Sequence, residues 1–312
     1  MNLKNINEVA LGEFTLSVSQ GSSCKLDYFL ASNFEGPTSS SLLEFVWKKG
    51  SKTLACLPVR RKEGGIITSL DKSPFGGIWA HAQLKSGCIQ EFIDAVLDQC
   101  RIMEIKELHL IQVPKPYEPH SDLINYLLFK SGFELQSILS HQFFVGKKKI
   151  KKLVDERFVK TMAKLKQEHA EVRSSSIQHF SFLDNIKKWN QKRGYDFGVD
   201  EDSLIKQVSL FPERYFLISI VKNDQPIAHS LAVKLTSNSL YYFLSAIDPA
   251  SGLKNGGDYM LMKLFQLAVL EKSEFIDLGT SDQISSANHP LMFFKSRFSN
   301  DISNKVSWIK FL

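Results

Sequence analysis

Cysteine is scarce in this sequence, with four residues in a chain of 312: Cys24, Cys56, Cys88 and Cys100. No two of them form a C-x-x-C pair, whereas zinc sites are usually built from closely spaced ligand pairs. Secreted disulfide scaffolds carry more cysteines in a shorter chain. We therefore expect reduced, buried thiols and no metal ion.

Long apolar runs are also missing, since no stretch approaches the roughly 20 residues that cross a bilayer. The first six residues, Met1 to Ile6, lack the charged and then apolar order of a secretory signal. Hydrophobic content of 43% and charged content of 23% are typical of a globular protein. We expect a cytoplasmic protein of two ordinary domains.

Positive charge is concentrated in one segment. The net charge is +6, and residues 147–166 hold nine Lys or Arg against Asp155 and Glu156, so the rest of the chain sums to −1. Such a run is typical of a solvated linker. Its functional interpretation is contact with an anionic partner, such as tRNA, a nucleotide sugar or the phospholipid headgroups of a membrane surface. Phe158 is the only aromatic residue there, which argues against sequence-specific nucleic-acid recognition.

Hydrophobic periodicity predicts a similar order of elements in both halves. In the first half we predict strands at 53–60, 65–70 and 76–80, a helix at 87–103, a strand at 107–113, a helix at 121–131 and a strand at 133–145. In the second half we predict helices at 181–193 and 202–210, strands at 215–222, 227–235 and 240–247, a helix at 258–272, and strands at 275–278 and 306–312.

This order predicts an α/β (α+β) fold. Two antiparallel strands feeding a strand–helix–strand crossover indicate a mixed, mostly antiparallel sheet flanked by helices. Because the pattern repeats at about 150 residues, it indicates tandem domains and not a solenoid of short repeats. We predict domains at 1–146 and 147–312, with a basic linker at about 147–153.

From position 240 the order of motifs is specific. A strand ending near 249 is followed by Gly252 and the Gly256-Gly257 pair, then by Asp-Leu-Gly at 277–279 and Phe-Lys at 294–295. Trp189 with Arg-Gly-Tyr at 193–195 adds a helix element. These motifs resemble the FemAB-like branch of the GNAT N-acyltransferase superfamily, which includes the cellulose-biosynthesis-type acetyltransferases. The resemblance covers about 158–312, and the first half is similar only as a degenerate copy.

The resemblance implies transfer of an acyl or aminoacyl group to an amine, in cell-envelope biogenesis on a cell-wall or polysaccharide precursor. Fem-type members take aminoacyl groups from charged tRNA, and the cellulose-type group implies acyl-CoA, so both donors stay open. The superfamily's pyrophosphate loop reads Gln/Arg-x-x-Gly-x-Gly/Ala, whereas 254–259 read Lys-Asn-Gly-Gly-Asp-Tyr. This departure motivates the alternative of a non-catalytic GNAT-like module that binds an anionic ligand.

A phosphate-binding turn is predicted between the strand at 240–247 and the helix at 258–272. Glycines let backbone N–H groups turn inward, and a helix N-terminus offers unpaired donors and a positive dipole end. The alternative is a plain strand-to-helix turn with Asp258 as the N-cap. With the resemblance, we assign donor binding to Ala246, Ile247, Lys254, Asn255, Gly256, Gly257 and Asp258.

Three residues are assigned to catalysis. Acyl transfer to an amine develops an oxyanion, which a fixed ammonium stabilises. The resemblance gives that role to Lys295, and the alternative is a surface lysine beside a core phenylalanine. Asp277 and Asp282 flank the carboxyl end of a central strand, where open α/β sheets bind ligands, so a carboxylate there can orient or deprotonate the amine. Asp277 can instead order the loop. No Gly-x-Ser-x-Gly elbow occurs, so no nucleophilic triad is predicted.

Four residues are assigned to substrate binding: Arg193, Trp189, Tyr242 and Phe294. Arg193 ends a predicted helix, where it either complements the helix dipole or binds a phosphate or carboxylate of the acceptor. Trp189 is either a core residue or a stacking surface. Since Tyr241 and Tyr242 lie on opposite faces of one strand, only one of them can point at a substrate. His229, on an apolar strand face, is typical of a hydrogen-bonded core residue.

Overall fold

The computed structural model describes residues 5–21, 24, 26–32, 42–70, 73–195, 197–282 and 286–312. The chain folds into two compact units. Unit 1 is Met1–His141 with Ser303–Leu312, and unit 2 is Gln142–Ile302. Compared with the predicted division after residue 146, the first boundary falls inside a strand and the last ten residues return to unit 1. The side chains of Val306 and Trp308 are buried in the core of unit 1, which explains that return.

The elements that begin in unit 1 are, in chain order, β1 (Asn5–Leu11), β2 (Phe14–Gln20), α1 (Phe29–Ser32), β3 (Leu42–Lys49), β4 (Lys52–Lys62), a 3₁₀ turn (Glu63–Gly65), β5 (Ile66–Thr68), β6 (Trp79–Ala80), α2 (Ser86–Ile102), β7 (Glu107–Ile111), α3 (Ser121–Lys130) and β8 (Glu134–Val145). Strands β1 to β5 pair in sequence as antiparallel neighbours, and β7 then pairs in parallel with β5. Helix α2 lies in that parallel crossover and buries its apolar face against the sheet.

The elements that follow are α4 (Lys147–Gln167), β9 (Ala170–Ser175), α5 (Ser181–Lys192), α6 (Glu201–Leu210), a 3₁₀ turn (Pro212–Arg214), β10 (Tyr215–Lys222), β11 (Gln225–Val233), β12 (Ser239–Ile247), α7 (Gly256–Leu270), β13 (Phe275–Thr280), α8 (His289–Ser296) and β14 (Asp301–Phe311). Strands β9 to β12 are antiparallel neighbours, and β13 pairs in parallel with β12 after the α7 crossover. Both units therefore contain the predicted mixed, mostly antiparallel sheet flanked by helices.

The two faces of the unit 2 sheet differ in character. One face packs against α4 and α7 through a continuous apolar cluster that includes Ala232, Tyr242 and Ile276. The strand register places Val233, Tyr241 and Asp277 on the opposite face. Helix α5 contacts β11 and β12. Tyr241 and Asp277 thus lie on the face of the sheet away from the apolar cluster.

Residues 147–153, predicted as a basic linker, are the first two turns of α4. Lysine is a good helix former, and Ile150, Leu153 and Leu165 bury one stripe of this helix in the unit 2 core. All nine Lys and Arg side chains of the basic segment are exposed. The charged residues therefore form the solvent face of a packed helix. Within the described residues, none of the helices has both the length and the apolar character of a membrane span.

Candidate active site

Strands β12 and β13 separate soon after they meet. Their parallel pairing covers only Ser239–Tyr241 of β12 and Phe275–Asp277 of β13, although the strands run on to Ile247 and Thr280. Beyond Tyr241, β12 continues to pair with β11 up to Ile247, so its other edge has no strand partner among the described residues. The opening lies at the carboxyl ends of two parallel strands, where α/β sheets bind ligands.

Gly279 accounts for the turn of β13 at this opening. Its φ is +72°, a left-handed conformation that glycine adopts readily and that residues with a Cβ atom disfavour. A Cβ atom at this position would lie 3.4 Å from the Tyr241 ring and 3.8 Å from the carbonyl oxygen of Tyr242. The backbone N–H of Gly279 donates to Asp277 Oδ1 at 2.7 Å, so the buried carboxylate holds the turn.

Replacing Gly279 with alanine is expected to lower the free energy of unfolding by about 1–2 kcal/mol, the cost of a left-handed L-residue. Gly198→Ala is the matched control, because Gly198 has no positive φ and no atoms within 4 Å of an added Cβ. Urea denaturation of both variants measures the difference. Equal stability of the two variants would contradict the role of the Gly279 turn.

Lys295 is buried, with 6% of its surface exposed, although it lies in the exposed helix α8. Its Nζ donates to the carbonyl oxygen of Thr280, at the end of β13, at 2.5 Å. Burial lowers the pKa of Lys295 to about 8, and the negative charges of Asp277 and Asp282 act in the opposite direction. The three residues predicted for catalysis therefore lie in one electrostatic cluster, and at neutral pH the lysine is mostly an ammonium.

Hydrogen bonds of three polar residues that the sequence did not point to hold the helix of Lys295 in position. Gln142 Nε2 donates to the carbonyl oxygen of Met292 at 3.2 Å, which ties α8 to the end of β8. Ser281 is buried, and its carbonyl oxygen accepts the N–H of Asn288 at 2.8 Å, just before α8. The Asn288 side chain caps the first turn of α8 through the Leu291 N–H at 3.1 Å. These bonds join the helix that carries Lys295 to the strand end that it faces.

The predicted phosphate-binding turn lies at the start of α7, which begins at Gly256, two residues earlier than expected. Asn255, in a left-handed conformation, is the N-cap, so Asp258 is not. An added Cβ at Gly256 would meet the Ile247 side chain at 2.9 Å, and one at Gly257 would meet the Phe294 ring at 2.7 Å. The turn therefore packs against the end of β12 and against α8. Within the described structure, the N–H groups of Gly256 and Gly257 have no hydrogen-bond acceptor.

Charged side chains surround this turn. Asp258 forms two hydrogen bonds with Arg297, at 2.8 and 3.1 Å, and the guanidinium lies 5.2 Å from the centre of the Phe294 ring. Glu168 accepts from the Tyr259 hydroxyl at 2.9 Å and approaches the Lys254 N–H at 3.4 Å. Arg297 lies two residues after the Phe-Lys motif, and its pairing with Asp258 was not predicted.

Of the two adjacent tyrosines, Tyr241 lies on the side of the candidate site. It is the register partner of Asp277. Burial, with a further contribution from the charge of Asp277, raises the pKa of Tyr241. Tyr242, the predicted substrate residue, packs against the apolar cluster between the sheet and α7. Burial raises the pKa of Tyr242 to about 12. The strand register thus places Tyr241, and not Tyr242, beside the carboxylate.

Trp189 and His229 form a separate buried pair. Their rings stack with centroids 5.4 Å apart and an interplanar angle of 21°. His229 Nδ1 lies 2.8 Å from Ser219 Oγ, and Nε2 lies 3.3 Å from Asn185 Nδ2. Burial lowers the pKa of His229 to about 4, so the ring is neutral and fits one donated and one accepted hydrogen bond. This confirms a hydrogen-bonded core histidine.

Arg193 lies at the exposed carboxyl end of α5, one turn after Trp189. Its side chain has no hydrogen-bond or ion-pair partner among the residues that the structure describes. The predicted residues thus fall into three groups: the Lys295 cluster, the turn at the start of α7 with Phe294, and the Trp189 pair with Arg193 beyond it. Strand β12 connects them, because Ala246 is the register partner of His229 and Ile247 packs on Gly256.

Comparison with known proteins identifies the fold. No protein-family model matches the sequence, and no curated protein matches it significantly. Solved structures do match. FemX is 12% identical over 92% of this chain and 95% of its own, with a TM-score of 0.61. A tandem GNAT protein from the clavulanic acid biosynthesis pathway is 9% identical over 92% of this chain and 88% of its own, with a TM-score of 0.54.

A third match is the C-terminal domain of a putative lysylphosphatidylglycerol synthetase from Agrobacterium fabrum. It is 8% identical over 82% of this chain and 81% of its own, with a TM-score of 0.53. At these identities the likeness concerns the fold. The predicted resemblance is confirmed at that level: the chain has a tandem GNAT-like fold similar to that of FemX.

Proposed function

We propose that this protein is an N-acyltransferase that moves an acyl or aminoacyl group from CoA or a charged tRNA to an amine. The observation that carries the proposal is the buried ammonium of Lys295, held at the end of β13 where β13 has parted from β12. A buried cation beside an opening between strands is suited to the negative charge that develops on a carbonyl oxygen.

The proposed reaction uses the residues of this opening. The amine nitrogen attacks the donor carbonyl carbon, and its extra proton passes to Asp277 or Asp282. Lys295 stabilises the oxyanion. When the carbonyl re-forms, the bond to the CoA sulfur or the tRNA oxygen breaks, and that leaving group takes up a proton. The unpaired edge of β12 offers backbone groups that can align the donor as an added strand does.

The start of α7 is the proposed binding site for donor phosphates. The unpaired N–H groups of Gly256 and Gly257 and the positive end of the helix dipole suit an anion. Arg297 supplies a cation next to the turn, and Lys254 is exposed in the loop. The structure of the tandem GNAT neighbour was solved without acetyl-CoA, which names acetyl-CoA as a ligand of interest for that protein. Acyl-CoA is therefore the first donor to test here.

The amine acceptor is proposed to be anionic. Arg193, exposed and without a described partner, is suited to a phosphate or carboxylate. The exposed lysines of α4 provide a second positive surface for such a molecule or for anionic headgroups. A cell-wall or polysaccharide precursor meets this description.

A non-catalytic module that binds an anionic ligand is the second candidate. It is favoured by two carboxylates at the turn, because Glu168 and Asp258 both place negative charge where donor phosphates would bind. In that case Lys295 would hold α8 on Thr280 without taking part in a reaction.

Ligand-induced thermal stabilisation tests the donor. Acetyl-CoA at a hundredfold excess over its Kd is expected to add about 2.7 kcal/mol of stability, seen as a rise in Tm. Arg297→Gln is expected to reduce the rise. Arg101→Gln is the matched control, since Arg101 pairs with Asp98 on an exposed helix face of unit 1. An equal rise in Tm in both variants would contradict the phosphate site. If acetyl-CoA raises the Tm of neither the wild type nor the variants, charged tRNA is the next donor to titrate.

A further inference from the structure

Three side chains of unit 1 that lie far apart in sequence come together in space. The sulfur atoms of Cys24 and Cys56 and a carboxylate oxygen of Glu44 all lie within 4.8 Å of one another. The spacing of the cysteines does not indicate this cluster, because its third member is a glutamate and its members come from β3, β4 and the chain before α1. The cluster is separate from the proposed acyl-transfer site in unit 2.

The pairing of β3 with β4 brings two members of the cluster, Glu44 and Cys56, together. Cys56 on β4 is the partner of Val46 on β3, so Glu44, two residues before Val46, lies on the same face of the sheet. Cys24 comes from the segment before α1, and its backbone N–H donates to Glu44 Oε2 at 2.9 Å. The glutamate therefore holds Cys24 against the sheet.

The surroundings of the cluster are largely dry. Glu44 and Cys56 are each 1% exposed, and Cys24 is half-buried. Trp79 is the register partner of Cys56 on β6, and its ring stacks on Tyr28 with centroids 5.4 Å apart. A carboxylate in such surroundings is stabilised by a nearby cation. The half-buried Cys24 leaves a route of entry.

The donor atoms are those that zinc prefers. Zinc binds cysteine sulfur at about 2.3 Å and carboxylate oxygen at about 2.0–2.2 Å in tetrahedral sites, so its ligand atoms lie roughly 3.3–3.8 Å from one another. Atoms that already lie within 4.8 Å of one another need only a small closure to reach these distances.

Glu44 adds an oxygen ligand to the two sulfur ligands, which a disulfide would not require. Its carboxylate oxygen lies within 4.8 Å of both sulfur atoms. The negative charge of this carboxylate attracts a divalent cation.

We propose that Cys24, Glu44 and Cys56 bind a thiophilic divalent cation, with Zn²⁺ as the expected ion. Binding releases the two thiol protons and forms two metal–sulfur bonds and one metal–oxygen bond. Three protein ligands leave the fourth position of a tetrahedral ion to water or to an added ligand. The ion fixes Cys24 on the sheet of unit 1.

Titration of the reduced, metal-free 312-residue chain with Co²⁺ tests the proposal. We expect one equivalent to bind with the near-ultraviolet absorbance of thiolate-to-metal charge transfer, and Zn²⁺ to displace it. Cys24→Ser is expected to weaken Zn²⁺ binding by at least about a hundredfold, measured by competition with a chromophoric chelator. Cys88→Ser, which changes a half-buried thiol outside the cluster, is expected to bind as wild type does.

Zn²⁺ binding by Cys24→Ser at wild-type affinity would overturn the proposal. Metal binding without sulfur absorbance would also overturn it, since it would place the ion on surface histidines or carboxylates. Formation of a Cys24–Cys56 disulfide with oxidised glutathione in a chain that binds no metal would show a redox pair instead. Cys24 is the position to change first, because Glu44 and Cys56 are fully buried and their variants can fail to fold.

Discussion

Replacing Lys295 with methionine is expected to lower kcat by about 10²–10³, with the KM of the donor little changed. One oxyanion donor contributes about 2.7–4 kcal/mol to the transition state, and its interaction with the ground-state carbonyl is weaker. Methionine has a similar length and suits a buried position, so α8 can keep its place. Steady-state rates with the donor and amine that show turnover, together with circular dichroism of the variant, measure the effect.

The matched control is Lys263→Met. Lys263 is half-buried on α7, burial lowers its pKa as it does that of Lys295, and its Nζ donates to Gln266 at 2.9 Å. The two substitutions therefore remove a similar partly desolvated lysine, one inside the candidate site and one outside it. Full turnover by Lys295→Met, or an equal loss in both variants, would contradict the proposed role.

The pH profile separates an oxyanion-stabilising ammonium from a general base. The pKa of Lys295 is lowered by burial to about 8, so the ammonium is lost as the pH rises above 8. The ratio of the wild-type rate to the Lys295→Met rate should then fall above pH 8, and Lys295→Arg should keep its rate to higher pH because arginine stays charged. A ratio that instead rises through pH 8 would indicate a neutral amine acting as a base.

Local periodicity was enough to predict the strands and helices around each crossover. Strands 215–222 and 240–247 were predicted with bounds within a residue of β10 and β12, because their alternation and turn residues are local signals. Strands β1 to β3 and β9 were not predicted. In β3 both faces are buried over the first six residues, so Leu42–Lys49 does not show the alternation of apolar and polar residues that marks a strand. Its pairing with β4 depends on the folded sheet and has no local sequence signal.

The sequence predicted the charged residues of the candidate site but not the residues that form hydrogen bonds around them. Lys295 and Asp277 lie in motifs that the sequence displays. Gln142, which fixes α8, lies about 150 residues from its partner Met292, and no local pattern relates them. The choice between Tyr241 and Tyr242 likewise depends on the strand register, since a shift of one residue exchanges the two faces.

Acidification is expected to destabilise the wild-type protein through His229. The pKa of His229 is about 4 in the folded protein because burial disfavours the charged ring, and about 6.5 in an unfolded chain. Between these values the unfolded state binds a proton that the folded state does not, so stability falls as the pH falls from 6.5 to 4. Integrated over this window, the loss is about 3 kcal/mol.

His229→Gln removes the titrating group and keeps an amide that can bond with Ser219 and Asn185. The free energy of unfolding of this variant, from urea denaturation, is expected to fall by about 3 kcal/mol less than that of the wild type between pH 6.5 and pH 4. His179→Gln is the control, because His179 is exposed and should leave the wild-type dependence unchanged. A wild-type pH dependence in His229→Gln would show that other groups cause the acid lability. The expected result would mean that Trp189, stacked on His229, keeps a neutral partner down to about pH 4.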